Sequence, residues 1–220
     1  MAPSSRWARR GCIVTDWPKR LRACLDPLAG NEQARPARSD YDLNAQAPRI
    51  RTDKRAAVLV PLIEREHGWQ VLLTRRAHDM PTHAGQVAFP GGRANARERL
   101  DAAALREFEE ETGIARNRAS LLGRFERYGT VSGYEISPFV AVLQTPFEVR
   151  PDPREVEEVF EVPFDFLMNR ANHQRQWRHW QGHKRYFYAM PWNGHFIWGA
   201  TAGMLRALAI RLEEAGSCCA

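Results

Sequence analysis

The sequence predicts a mixed α/β fold, because strand-like segments dominate the middle of the chain while helix-like segments interrupt and follow them. The strand signal is a series of short apolar runs rich in β-branched and aromatic residues. The helix signal is strongest from Leu100 to Thr112, an Ala-rich segment followed by Gly113, a residue type that commonly ends helices. An amphipathic segment near the C-terminus predicts a final helix.

The individual elements follow in chain order. The apolar strand that begins at Ala56 is predicted to form a hairpin with the QVLLTRR run, and a short strand follows within a long loop. After the central helix, ASLLGRFERY leads to the strand-like EISPFVAVLQ, and a later strand turns into a short helix at Pro163. RYFYAMPW and HFIW are predicted to form a second hairpin around Asn193 and Gly194, ahead of the final helix.

The first fifty residues differ in composition from the rest and predict an extension of the domain. The predicted units are an extension at 1–50, a domain at 51–215 and a tail at 216–220. Within the extension, residues 16–28 favour a short amphipathic helix with Leu21, Cys24, Leu25 and Leu28 on one side. Residues 29–50 are polar and contain proline, which is typical of a linker or an extended arm.

The bulk composition is that of an ordinary globular chain, with 220 residues, 44% hydrophobic and 26% charged. A net charge of +6 suits an anionic partner, although a basic surface that only maintains solubility fits equally well. No apolar run approaches the roughly 20 residues that span a bilayer, so no membrane partner is expected. The 4 cysteines form no CxxC pair, which predicts reduced thiols in the cytoplasm and neither a disulfide framework nor a zinc site.

The central helix carries a dense cluster of glutamates. On a helical wheel, with about 100° per residue, Glu107, Glu110 and Glu111 share one face. Like charges at this spacing repel one another by a few tenths of a kcal/mol, and Arg106 alone cannot neutralise three of them. A hard divalent ion with oxygen ligands, Mg²⁺ or Mn²⁺, would do so, while a solvated acidic helix face is the alternative.

The residues around this helix follow the pattern G-x5-E-x7-R-E-U-x-E-E-x-G-U, in which U is apolar. The matching residues are Gly92, Glu98, Arg106, Glu107, Phe108, Glu110, Glu111, Gly113 and Ile114. This segment resembles the signature of the Nudix hydrolases. The resemblance implies an α/β/α sandwich with a mixed β-sheet, a loop–helix–loop at the active site, and metal-dependent hydrolysis of a diphosphate.

The resemblance also implies residue roles. Glu107 and Glu111, followed by Glu110, are the expected metal ligands. The expected catalytic group is Glu110, Arg106 and Glu107, with Arg106 orienting the carboxylates by ion pairing and Glu98 shaping the loop or binding metal through water. The general base stays open; the candidates are Glu110 within the motif and Glu135, Glu155, Glu157 and Glu158 outside it.

Residues 72–92, LLTRRAHDMPTHAGQVAFPGG, resemble the additional motif of the coenzyme A diphosphatase branch of this family. Two positions depart from the branch, with Arg76 in place of a serine and Pro81 in place of an arginine. The resemblance implies cleavage of coenzyme A or acyl-coenzyme A to 3′,5′-ADP and (acyl-)4′-phosphopantetheine. The candidate substrate-binding residues are Arg75, Arg76, His83, Gln86, Phe89, Gly91 and Gly92.

Two other functions stay open. Pro81 leaves room for another nucleoside diphosphate derivative as substrate, such as ADP-ribose, NADH or a dinucleoside polyphosphate. A nucleotide- or RNA-binding protein on the same scaffold is disfavoured, because a pure binder would not need all of the metal-binding carboxylates. The expected partner is therefore a small molecule, with neither nucleic acid nor membrane, and a homodimer is left open.

Residues 177–192 combine aromatic and basic side chains, a mixture that can stack bases and neutralise phosphates. The segment either covers the adenine of the substrate or forms a hairpin that packs on the core. The frequency of aromatic residues in strands favours the packed hairpin.

Overall fold

The computed structural model describes residues 16–28, 37–48, 54–180 and 182–217. The helices in these ranges are α1 (Trp17–Cys24), α2 (Leu100–Thr112), α3 (Phe164–Met168) and α4 (Ala200–Ser217). The strands are β1 (Arg38–Ser39), β2 (Lys54–Arg65), β3 (Gly68–Arg76), β4 (Val87–Ala88), β5 (Gly91–Arg93), β6 (Ala119–Arg124), β7 (Tyr128–Gly129), β8 (Tyr134–Leu143), β9 (Val156–Pro163), β10 (Gln174–Trp180), β11 (His183–Trp192) and β12 (His195–Trp198). The predicted α/β class is confirmed.

The main sheet has nine strands and is mixed. Its central path runs β1-β7-β8-β2-β3-β4, while β5 pairs with β2, β6 with β8 and β9 with β3. The long central strands β2 and β8 run parallel, and β2 and β3 form the predicted antiparallel hairpin. This arrangement brings the end of β3 and the short strand β5 close to the C-terminal half of α2.

Helices cover both faces of the main sheet and make a three-layer α/β/α sandwich. On one face, Phe108 and two alanines of α2 pack against Leu59 and Phe139 of β2 and β8. On the other face, α1, α3 and α4 pack on the alternate side chains of β2 and β3, such as Val60 and Leu73. None of the described helices is long and apolar enough to cross a membrane.

A smaller antiparallel sheet contains β10, β11 and β12. The predicted hairpin of β11 and β12 is present, and its turn residues Asn193 and Gly194 have φ values of 44° and 84°, as a two-residue hairpin turn of this hand requires. Met190 and Ile197 of this sheet are fully buried in the core. The hairpin favoured for residues 177–192 is present as β10 and β11, although β10 begins at Gln174 and neither of its sides is apolar.

The N-terminal region differs from the prediction in two ways. Helix α1 ends at Cys24, because Leu25 is extended, and Leu28 is 36% exposed and not part of a buried helix face. Residues 37–48 are not a plain linker: they contribute β1 and a 3-10 turn, Asp40–Asp42, to the folded domain. The remaining residues of the predicted arm and the C-terminal residues 218–220 lie outside the described ranges, and the unit boundaries stay predictions.

Candidate metal and diphosphate site

The two glycines before α2 belong to a strand, within the segment that the sequence predicts as a long loop. Gly91 and Gly92 lie in β5, opposite Val58 and Ala57 of β2. A Cβ atom on Gly91 would lie 2.5 Å from the carbonyl oxygen of Ala57, and one on Gly92 would lie 2.5 Å from the carboxylate of Glu107. Glycine is therefore needed here so that β5 can pair closely and so that a carboxylate can approach the backbone.

Helix α2 has the predicted bounds and the predicted C-terminal glycine, Gly113, with φ of 71°. Its three candidate ligands differ in environment. The side chain of Glu111 is 3% exposed, that of Glu107 is 16% exposed, and that of Glu110 is 56% exposed. The shared face found on the helical wheel therefore runs from the buried edge of the sheet out to solvent.

Glu111 is the most buried carboxylate of the cluster. It accepts a hydrogen bond from the backbone N–H of Gly91 at 3.2 Å, and its nearest cation is the Nη1 of Arg76 at 3.8 Å. Burial raises the pKa of Glu111 to about 8, against the opposing effects of the Gly91 hydrogen bond and Arg76, while repulsion from Glu107 and Glu155 adds to the rise. The negative charge of this carboxylate is thus only partly compensated.

Arg106 ties three carboxylates together. Its guanidinium donates to Glu98 at 2.9 and 3.0 Å, to Glu107 at 2.7 Å and to Glu110 at 2.9 Å. These bonds, with the backbone N–H of Asn95, lower the pKa of Glu98 to about 2. Burial nevertheless raises the pKa of Glu107, so Arg106 does not fully offset the cost of its partial burial.

Two further glutamates of this segment, Glu98 and Glu109, have structural partners of their own. Glu98 accepts from the N–H of Asn95 at 2.8 Å, which fixes the turn ahead of α2. Glu109 points away from the cluster and binds Arg116, which donates from Nε at 2.5 Å and from its backbone N–H at 3.1 Å. The pair of Glu109 and Arg116 was not predicted, although the sequence places the arginine just past the helix end.

The acidic face has the chemistry of a divalent-metal site. Within the described residues, no group of three or more His, Cys, Asp or Glu side chains converges tightly enough to enclose an ion. Mg²⁺ does not need such a cage, since it keeps several waters and commonly binds one or two carboxylates together with substrate phosphates. Glu107 and Glu111, both with raised pKa values caused first by burial, fit this open mode of binding.

The upstream motif includes Arg75 and Arg76, which are the last residues of β3. Arg75 pairs with Glu158 at 2.8 Å and with Glu157 at 3.4 Å, whereas Arg76 faces Glu111. The Nε atoms of both arginines are buried and lack a hydrogen-bond partner among the described residues. Of the two arginines, Arg76 is therefore the one that lies next to the acidic helix, while Arg75 is held by two glutamates of β9.

The other candidate substrate-binding residues separate into two groups. His83 and Gln86 lie in the loop before β4, where the His83 Nδ1 and Gln86 Oε1 atoms are 2.9 Å apart. Phe89 is 2% exposed and packs in the core, so its side chain supports the loop from below and presents no ligand surface.

The four candidate bases outside α2 differ in whether an arginine binds them. Glu157 and Glu158 are engaged by Arg75, and Glu135 is engaged by Arg127. Glu155 lies just before β9, and its charge raises the pKa values of both Glu107 and Glu111, after burial as the main cause. Glu155 is thus the external candidate that acts electrostatically on the acidic cluster.

Comparison with known proteins places these features in a family. The model of the NUDIX domain matches residues 53–187. The uncharacterized Nudix hydrolase NudL of Cronobacter sakazakii is 36% identical over 174 residues, covering 73% of this chain and 84% of that protein. NudL of Yersinia pestis strain Pestoides F is 37% identical over 159 residues, covering 72% and 79%. Among solved structures, the Nudix hydrolase RenU of M. smegmatis aligns with a TM-score of 0.46 at 24% identity, covering 54% of this chain and 75% of that one.

Proposed function

The chain belongs to the NUDIX family of hydrolases, which act on phosphoanhydrides, and on that premise we propose that its substrate is coenzyme A or acyl-coenzyme A. In the proposed reaction, water attacks one phosphorus of the diphosphate and the bridging P–O bond breaks. The products are 3′,5′-ADP and (acyl-)4′-phosphopantetheine. The proposed place of action is the cytoplasm, and a homodimer is left open.

One observation carries the substrate proposal. The motif that resembles the coenzyme A branch contains Arg76, at a position where that branch has serine, and the guanidinium of Arg76 lies 3.8 Å from the buried carboxylate of Glu111. Two separate sequence motifs therefore meet at one site. Arginine forks suit phosphate oxygens, and Arg76 presents such a fork at the end of β3, beside Glu111.

Members of the family generally use divalent metal ions, and we propose Mg²⁺ or Mn²⁺ here. Glu107 and Glu111 would hold the ion, with the exposed Glu110 as a further ligand. The ion, when bound, supplies Lewis-acid stabilisation of the charge that develops on the diphosphate. Arg106 fixes the orientation of Glu107 and Glu110 from one side, while Arg75 and Arg76 bind phosphate oxygens from the other.

We assign the role of general base, which accepts the proton of the attacking water, to Glu155, with Glu110 as the alternative. Glu155 is exposed and carries a charge that reaches both Glu107 and Glu111. The other external candidates are engaged in ion pairs with Arg75 or Arg127. A carboxylate next to the site but not committed to an arginine is best suited to accept a proton.

A second candidate substrate is another nucleoside diphosphate derivative, such as ADP-ribose, NADH or a dinucleoside polyphosphate. The observation that favours it is Pro81, which occupies an exposed loop position where the coenzyme A branch carries a cation. Arg76 provides a cation nearby in the chain, but that cation faces Glu111 and not the loop.

The deciding experiment incubates the purified protein with coenzyme A, ADP-ribose, NADH or diadenosine polyphosphates, each with Mg²⁺ or Mn²⁺, and resolves the products by mass spectrometry. We expect 3′,5′-ADP and 4′-phosphopantetheine from coenzyme A, and near-complete loss of activity in Glu111→Gln. Glu109→Gln is the matched control, because Glu109 lies on the same helix but binds Arg116 away from the cluster. Cleavage of another substrate in preference to coenzyme A would assign the second candidate instead.

A further inference from the structure

The second sheet lies in a part of the chain that contains no acidic residue at all. No Asp or Glu occurs between Asp165 and Glu213, whereas Arg, Lys, His and aromatic residues are frequent in β10, β11 and β12. One side of this sheet contributes Met190 and Ile197 to the core. The opposite side carries an aromatic and cationic surface that the hydrolase site does not use.

Strand register identifies the residues of this outer surface. Arg178 pairs with Arg185, Gln176 with Phe187, and Ala189 with Trp198, so their side chains share one side of the sheet. Trp180 and Phe196 follow at the two ends of the same side. These two rings are 48% and 42% exposed, which is unusual for residues of this size. We call this set, Gln176, Arg178, Trp180, Arg185, Phe187, Phe196 and Trp198, the outer aromatic face.

Arg178 lies between two indole rings of the outer aromatic face. Its guanidinium carbon is 5.2 Å from the ring centre of Trp180 and 4.4 Å from that of Trp198. Stacking of this kind holds the guanidinium plane in place and leaves its N–H groups free to point outward. Among the described residues, no carboxylate forms an ion pair with Arg178.

Arg178 and Arg185 form a cross-strand pair of like charges, which is destabilising unless an anion lies between them. The nearest described acid to Arg185 is Asp40, at 3.9 Å, and Asp40 is already bound by the hydroxyl of Tyr128 at 2.9 Å and the N–H of Val131 at 3.1 Å. The outer aromatic face therefore has uncompensated positive charge next to exposed rings. An anion with planar, stackable groups is the complementary ligand.

We propose that the outer aromatic face binds single-stranded nucleic acid. Phosphates contact Arg178 and Arg185, while unpaired bases stack on Trp180 and Phe196. Proteins that bind single strands without sequence preference combine a cationic path with aromatic side chains in this way. The proposal reverses the expectation from the sequence that no nucleic acid is bound, which followed from the complete set of metal-binding carboxylates and not from the residues of this sheet.

A membrane surface is the competing occupant for exposed tryptophans beside basic residues. Two observations disfavour it. The tip of the hairpin includes Gly182, which has no side chain to insert into a bilayer. The rings also extend along the sheet from Trp180 to Phe196 and are not confined to the tip, which suits an elongated ligand better than a lipid interface.

The test measures fluorescence anisotropy of a labelled single-stranded RNA of mixed sequence with the full-length protein, at several salt concentrations. Trp180→Ala is expected to weaken binding by about fivefold to a hundredfold, the range for loss of one stacked base. Arg178→Gln is expected to weaken binding and to reduce the slope of log Kd against log salt by about 0.7, as for one phosphate contact on a single strand.

Trp177→Ala provides the matched control, because Trp177 is in the same strand and 49% exposed but points to the other side of the sheet. Its binding should stay within about twofold of the wild type, and Trp180→Phe should restore most of the affinity lost in Trp180→Ala. Thermal unfolding of each variant checks that the hairpin still folds. Hydrolase activity is measured separately and should not change, so this inference does not depend on the proposed substrate.

Several outcomes would overturn the proposal. They are absence of RNA binding at low salt, equal binding of duplex RNA, or equal loss in Trp177→Ala and Trp180→Ala. Vesicles containing phosphatidylserine form the last arm. If Trp180→Ala weakens vesicle binding but leaves RNA binding unchanged, the outer aromatic face is a membrane contact.

Discussion

Glu111 illustrates how a single residue can lower the stability of the metal-free protein while serving its function. It is 3% exposed, with one backbone hydrogen bond and a guanidinium at 3.8 Å as its favourable contacts. A buried carboxylate with so little compensation is costly in its ionised form. The cost makes physical sense if a divalent ion normally lies beside Glu111.

We predict that this cost appears as a pH dependence of stability. Burial raises the pKa of Glu111 from 4.5 to about 8, so the folded protein retains a proton that the unfolded chain has already lost in this interval. The metal-free wild type should therefore lose stability as pH rises from about 5 to about 8, and Glu111→Gln should lose less. Thermal unfolding in a chelator at both pH values measures the difference. Mg²⁺ should raise the Tm of the wild type but not that of Glu111→Gln, and equal responses of the two would contradict the assignment.

Gly92 and Gly91 give a second prediction at the residue scale. A Cβ atom on Gly92 would meet only the end of the Glu107 side chain, whereas one on Gly91 would meet the backbone of Ala57 and Val58. Gly92→Ala should therefore displace Glu107 and reduce kcat by about a hundredfold, the scale of an ångström-sized misplacement, with little change in Tm. Gly91→Ala should lower the Tm because β5 can no longer pair. Kinetics and thermal unfolding of both variants separate the two effects.

At the scale of elements, the sequence was informative where local chemistry determines structure. Helix α2 begins and ends as predicted because Gly113 stops it and its apolar residues recur at helical spacing. The β2–β3 and β11–β12 hairpins were predicted from apolar and aromatic runs that lie close together in the chain. These features depend on neighbours along the chain.

Features that depend on distant contacts were not predictable. Strand β5 lies in the predicted loop before α2 and exists because it pairs with β2, which is distant in the chain. The position of Arg76 beside Glu111 could not be inferred either, since it requires β3 and α2 to meet in space. The residues of the candidate site could be chosen from motifs, but their burial and partners could not.

Helix α2 and the loop before it act as one unit through Arg106, which leads to a prediction at this scale. Arg106→Lys keeps the positive charge, but an ammonium group cannot span the oxygens of Glu98, Glu107 and Glu110 that the guanidinium reaches. We expect kcat to fall by about a hundredfold through misplacement of Glu107, with a smaller effect on KM. Arg116→Lys is the control, since Arg116 binds only the outward-facing Glu109. If Arg106→Lys instead keeps the wild-type kcat, as Arg116→Lys is expected to, the positive charge alone is sufficient and the shape of the guanidinium is not needed.

At the scale of the whole molecule, the N-terminal residues are attached to the core more firmly than their composition indicates. Trp17 donates to Asp165 at 2.9 Å and meets the Phe164 ring edge-on at 4.9 Å, so α1 is attached to α3. Arg211 of α4 donates to the carbonyl oxygen of Cys24 and pairs with Asp26 at 2.5 Å. The polar composition of the N-terminal residues did not indicate these contacts, because a few large side chains make most of them.

Leu21 provides the test of whether residues 16–28 are part of the folding unit or a separable extension. Its side chain is fully buried in the core cluster that contains α4, whereas Arg22 beside it on α1 is exposed. Leu21→Ala should cost about 2–5 kcal/mol of unfolding free energy and lower the Tm by about 10 °C, while Arg22→Ala should change the free energy by less than about 0.5 kcal/mol. Because α1 lies on the opposite side of the sheet from α2, the kcat of Leu21→Ala measured well below its Tm should equal that of the wild type. If both variants unfold at the wild-type temperature, α1 does not contribute to the stability of the domain, and the predicted boundary at residue 50 would describe the molecule better.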